Sequence, residues 1–123
     1  MGKRILIVED EPVTRTMFVE LFEMEGYKVL SAESSEEALE LLADEPCLVM
    51  FLDLNLPGMN GVDLCKNIKA DFPMAICHAI TGYTSLFELA DCLEAGFSDY
   101  FTKPTDIELL YKAAQEAFEK IER

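Results

Sequence analysis

The run Ile5-Leu6-Ile7-Val8 is apolar at four consecutive positions, without the polar alternation of a half-solvated strand. Such a strand must be covered on both faces, which restricts the chain to a mainly parallel sheet between helical layers. The same texture returns at residues 47–52 and 75–80, and more weakly at 28–32 and 99–102. Helical spacing fills the intervals. Met17, Phe18, Leu21 and Phe22 recur at that spacing within residues 13–25, and Gly26 supplies the stop. Ser34 to Glu37 reads as a capping box ahead of Ala38, Leu39, Leu41 and Leu42. Residues 57–61 read as loop, 62–70 as a short helix, and 85–95 as a helix closed by Gly96. Residues 106–121 form a last helix, with acids at its start and Lys120 and Arg123 at its end, the order its dipole favours. Five strands alternating with five helices specify an α/β fold, a doubly wound parallel sheet with right-handed crossovers.

At 123 residues the chain suits one domain, 1–123, and with half its residues hydrophobic it can bury a sizeable core. The final helix runs to residue 121 with no linker after it, as in a stand-alone regulator or a segment of a larger one. A formal charge of −14 leaves no broad basic face, which argues against direct nucleic-acid binding. No apolar run approaches the roughly 20 residues of a membrane span. The start, Met1-Gly2-Lys3-Arg4, enters a strand directly without a small-residue cleavage site, so a cytoplasmic protein is expected. Cys47, Cys65, Cys77 and Cys92 stand far apart, and with the single histidine, His78, they make a weak zinc set. Cys47 and Cys77 sit in apolar runs, where a buried, reduced thiol is the expected reading, and His78 is expected to pack in the fourth strand.

In a doubly wound sheet, ligands bind beyond the carboxyl ends of the strands. Strand one ends in Glu9-Asp10-Glu11, strand three in Asp53, strand four in Thr81 and strand five in Lys103-Pro104. An acid after a strand is often a helix N-cap, a role open to Asp10 or Glu11. Asp53 follows five apolar residues, 48–52, and a carboxylate placed there needs a reason. Acids gathered on one rim repel unless a cation sits among them, and an all-oxygen set suits Mg²⁺. Neither Gly-x-x-x-x-Gly-Lys nor Gly-x-Gly-x-x-Gly occurs, so nucleotide binding has no motif behind it.

Residues 5–10, FLDLNLPGMNG at 51–61, Ile80-Thr81 and DYFTKP at 99–104 together resemble the response-regulator receiver family of two-component signalling, chemotaxis receivers included. The resemblance spans nearly the whole chain and implies a flavodoxin-like sheet in the order 2-1-3-4-5. It implies that Asp53 is the phosphoacceptor. Asp10 would be a direct Mg²⁺ ligand, Glu9 would hold the metal through water, and the Asn55 backbone carbonyl would be a third protein ligand. Thr81 and Lys103 would each contact a phosphoryl oxygen, Tyr100 would be the aromatic switch, and Lys103-Pro104 would be cis. Thr105 departs from the family's usual Phe, Cys47 from a common Asp, and Gly82 from a frequent Ala. The longer arm of Glu9 departs from the usual Asp.

The implied partners are a sensor histidine kinase or phosphotransfer protein upstream and an effector downstream. Two rivals stand beside this reading: a Mg²⁺-dependent aspartyl-phosphate phosphohydrolase, and a degenerate receiver-like interaction domain. The hydrolases keep a second acid two residues after the nucleophile, where this chain has Asn55; a degenerate domain is expected to lose Asp53, Asp10 or Lys103. For an output or homodimer face, the fourth helix, fifth strand and fifth helix are expected. Helical spacing puts Leu86, Ala90 and Leu93 toward the sheet, Phe87 outward and Leu89 on the margin. On the last helix it buries Ile107, Leu110, Ala114 and Ile121, leaving Leu109 outward and Tyr111 at the edge. With no Lys or Arg from 83 to 96, that face is expected to be an apolar contact, with Phe87 at its centre.

Overall fold

The computed structural model describes residues 3–82 and 86–122, except for the side chains of residues 86–88. Five strands and five helices alternate: β1 (Arg4–Val8), α1 (Pro12–Met24), β2 (Lys28–Ala32), α2 (Ser35–Asp44), β3 (Val49–Asp53), α3 (Gly61–Asp71), β4 (Ile76–Thr81), α4 (Leu86–Ala95), β5 (Asp99–Thr102) and α5 (Ile107–Glu122). The strands are all parallel in the order β2-β1-β3-β4-β5, the doubly wound arrangement expected.

The period-two geometry of the strands divides the core in two. Leu6, Val8, Met50, Leu52, Cys77 and Ala79 face one way and pack with α2, α3 and α4 through Leu42, Leu64, Ile68 and Cys92. Ile5, Ile7, Val49, Phe51 and Ile80 face the other way, onto Phe18 and Phe22 of α1 and Leu110, Ala114 and Phe118 of α5. Continuous apolar strands are thus explained residue by residue. All four cysteines are buried as thiols rather than joined in disulfides. Local chemistry sets the helix starts: Ser34 accepts from the Glu37 N–H at 3.1 Å, and Asn60 accepts from the Asp63 N–H at 2.9 Å. Gly26 and Gly96 follow α1 and α4 with φ of +93° and +104°, the left-handed turn that stops a helix.

The α5 pattern holds, with Leu110 and Ala114 buried, Ile107 and Ile121 half-buried and Leu109 52% exposed. The α4 phase does not. Leu93 is 66% exposed and Ala90 also faces out, while Cys92 and Ala95 are buried and Leu89 is half-buried. Close approach decides this face rather than side-chain bulk. The small residues let α4 lie against α3 tightly enough for the Cys65 thiol to reach the Ala95 carbonyl at 3.5 Å. The expectations for Leu86 and Phe87 fall on side chains outside the described residues.

His78 lies in the α1/α5 half of the core as expected, stacked on Phe51 with ring centroids 4.3 Å apart. Its Nδ1 lies 3.0 Å from the Met50 carbonyl and its Nε2 3.6 Å from Asp99. Burial holds the imidazole below its ordinary value of 6.5, outweighing the opposing pulls of the Met50 carbonyl and Asp99. The unfolded chain therefore takes up a proton near pH 6.5 before the folded chain does. Stability supplied by neutral His78 is present above that pH and lost as pH falls, by at most about 1.4 kcal/mol per pH unit. Urea unfolding at pH 7.5 and 5.5 should show a larger acid loss in the wild type than in His78→Gln; parallel losses would refute the assignment.

Candidate functional site

The carboxyl ends of β1, β3, β4 and β5 converge on one rim. Asp53, the last residue of β3, is buried. Its Oδ1 accepts from the Asn55 backbone N–H at 2.9 Å and its Oδ2 from the Lys103 ammonium at 3.0 Å. Lys103 follows β5, where its own N–H donates to the Thr81 carbonyl at 2.8 Å, and its bond to Pro104 is cis. From there the ammonium also donates to Glu9 Oε1 at 2.6 Å, so one lysine bridges two buried acids.

Glu9 leaves β1 with its N–H on the Ala32 carbonyl, and its Oε2 accepts from the Glu11 N–H at 3.1 Å. Glu11 is the α1 cap, accepting from the N–H groups of Val13 and Thr14 and from the Thr14 hydroxyl. That leaves Asp10 unclaimed by the helix. Asp10 is exposed, yet one oxygen from each of Glu9, Asp10 and Asp53 lies within 4.8 Å of the others. The donors are carboxylate oxygens, and they outnumber the one ammonium among them. Their chemistry fits a hard divalent cation such as Mg²⁺.

Burial chiefly drives the Glu9 carboxyl up to about 7, and the Asp53 charge adds to this; the Lys103 hydrogen bond and the Glu11 N–H oppose it. Burial acts to lower the Lys103 ammonium, but its hydrogen bonds to Glu9 and Asp53 outweigh that and hold it above its ordinary value. Burial thus favours a proton on Glu9, while Lys103 stays charged beside it.

Thr81 ends β4, fully buried, and its hydroxyl oxygen accepts from the Asn55 side-chain amide at 3.2 Å. Asn55 thus touches the acid through its backbone and the hydroxyl through its side chain. Tyr100, on β5 and paired with Ala79, is half-buried in the packing of the α2/α3/α4 face. Sequence reading brought Glu9, Asp10, Asp53, Asn55, Thr81 and Lys103 to one rim, where the structure also has them. It missed the Glu9–Lys103 pair, the Asn55 amide contact, and Arg15, whose Nη1 donates to the carbonyls of Glu9 and Asp10. Two strands separate β1 from β5, so no spacing could announce the lysine's reach. A cation in the first turn of α1 was a legible anomaly, because the helix dipole disfavours it there.

Residues 5–115 match the family model of the response regulator receiver domain. A cyclic di-GMP phosphodiesterase of Thermotoga maritima is 37% identical over 106 residues, covering 86% of this chain and 28% of that protein. Sporulation initiation phosphotransferase F of Bacillus subtilis is 30% identical over 115 residues, covering 94% of this chain and 93% of that one. The crystal structure of a CheY-like response regulator receiver domain protein from Methanospirillum hungatei JF-1 superposes with a TM-score of 0.92. It is 31% identical, and 99% of this chain and 98% of that one are covered.

Proposed function

The chain belongs to the response regulator receiver domain family, and on that premise we propose that it accepts a phosphoryl group on Asp53 and changes conformation to control a partner. The carrying observation is the buried Asp53 carboxylate, held by the Asn55 N–H and the Lys103 ammonium at the rim centre. Residues 1–123 act in this reading as one receiver unit. Its donor is a phosphohistidine on a sensor kinase or phosphotransfer protein, or a small acyl phosphate. A near-full-length relative whose name is that of a phosphotransferase supports this choice.

The reaction joins an Asp53 oxygen to phosphorus while the donor's P–N or P–O bond breaks and its electron pair leaves with the donor. Glu9, Asp10, Asp53 and the Asn55 carbonyl are the groups that would hold Mg²⁺, which supplies charge neutralisation for the transferred oxygens. Lys103, already on Asp53, is placed to pair with one of those oxygens. Thr81, buried at the end of β4 beside the Asn55 amide, would contact a second. Drawing Thr81 toward the phosphoryl group opens space for Tyr100, a shift between two packings favoured by contacts made in only one. Leu93 on α4 and Leu109 on α5 are exposed, and in this reading each is available to an effector or a second copy. No described helix is long and apolar enough to cross a membrane. A cytoplasmic setting, where kinase domains present phosphohistidine, belongs to the same reading.

Incubation with acetyl phosphate, with and without Mg²⁺, followed by intact mass spectrometry tests it. One added phosphoryl group that requires Mg²⁺ and decays slowly is expected. Rapid turnover without an accumulated adduct would favour the phosphohydrolase, and no added mass the degenerate domain.

A further inference from the structure

Arg15 stands where helix electrostatics disfavours it. It is the fourth residue of α1, near the positive end of the helix dipole; the first turn itself carries no acid, although the Glu11 carboxylate caps it. Its half-buried side chain runs backward along the helix. Nη1 donates to the Glu9 carbonyl at 2.9 Å and to the Asp10 carbonyl at 3.3 Å. These oxygens belong to the segment whose carboxylates gather with Asp53. From the other side the Glu9 carboxylate is fixed by the Glu11 N–H and Lys103. The acid segment is thus gripped by its backbone on one side and by a side chain on the other.

We propose that Arg15 is a positioning residue for cation binding, holding the Glu9-Asp10 backbone against α1 so that these carboxylates converge with Asp53. The proposal rests on the reading of the rim as a Mg²⁺ site. Two effects of removing Arg15 oppose each other. Loss of a positive charge near a cation site tightens Mg²⁺ binding, by a few-fold for a screened charge at this range. Loss of the grip frees two peptide units, and groups that orient metal ligands typically matter by about 10–100-fold. Positioning is the larger effect, so the sign of the change separates the two.

Isothermal titration with Mg²⁺ of the wild type, Arg15→Met and Arg15→Lys decides it. Mg²⁺ binding weakened about 10-fold in Arg15→Met is expected, with a metal-free melting curve close to that of the wild type. Arg15→Lys should recover little of the loss, since an ammonium does not hold two carbonyls as a guanidinium does. Unchanged or tighter binding in Arg15→Met, or full recovery in Arg15→Lys, would overturn the proposal while leaving the Mg²⁺ site intact. Absence of Mg²⁺ binding in the wild type would instead sink the cation site itself, and the proposal with it.

Discussion

Asp53→Asn is expected to abolish phosphoryl acceptance outright. The substitution keeps the shape, and its amide oxygen still accepts from the Asn55 N–H that now binds Oδ1. What disappears is the charged nucleophile. A neutral amide oxygen attacks phosphorus poorly, and removal of an enzyme's nucleophile costs on the order of 10⁶ in rate. No mass gain should appear in Asp53→Asn after acetyl phosphate and Mg²⁺, at times when the wild type is labelled. Glu9 and Asp10 lie close enough to serve as controls on this reasoning, since their oxygens share the site. Labelling that persists in Asp53→Asn would move the acceptor to one of them and end the assignment.

Gly61→Ala should give the largest loss of stability among single-methyl additions at the described glycines. A Cβ at Gly61 would lie 2.3 Å from the Asp53 carbonyl oxygen and 2.8 Å from the Leu54 Cα. Both neighbours are backbone, so no side chain can turn aside. The Gly61 N–H also donates to the Leu54 carbonyl at 3.1 Å, closing the loop that carries Asn55. Either β3 or the start of α3 must yield, a kind of overpacking that costs about 1–3 kcal/mol. Because the displaced atoms include the backbone of Asp53, phosphorylation should slow as well. Gly82 is the natural control: a Cβ there meets nothing within 4 Å, and its φ lies outside the left-handed region. Gly82→Ala should be neutral or gain up to about 1 kcal/mol by restricting the unfolded chain. Equal urea midpoints for Gly61→Ala and Gly82→Ala would show that the close approach at Gly61 has no energetic consequence.

The fold was legible because its strands carry their environment in their composition. Ile5-Leu6-Ile7-Val8 has no solvent face to hide, and residues 48–52 repeat the message before ending in an acid. Strand ends were equally legible, since a polar residue that stops an apolar run marks the rim. Spacing failed where bulk and burial part company. Leu93 is the bulkier side chain, yet Cys92 is the buried one because α4 packs close to α3. Spacing also failed for contacts that cross the sheet. Glu9 and Lys103 are 94 residues apart and meet only because β3 and β4 set the width of the rim. The Asn55 amide on Thr81 is a matter of rotamer, which a sequence pattern does not encode.

The sheet that separates the two hydrophobic clusters also separates the anchor of α1 from the packing of α4. α1, with the acid segment and Arg15 at its start, is anchored by Phe18 and Phe22 in one cluster; α4 and Tyr100 belong to the other. Substitutions in well-separated packing groups combine nearly additively. Changes around Cys92, Ala95 and Phe97 therefore reach the Phe18 and Phe22 anchor of α1 only through the sheet, although their own cluster also holds Val8, Leu52 and Leu54 beside the acids. If the proposed function holds, replacements in one cluster should tune the output side with little added effect on the Arg15 grip.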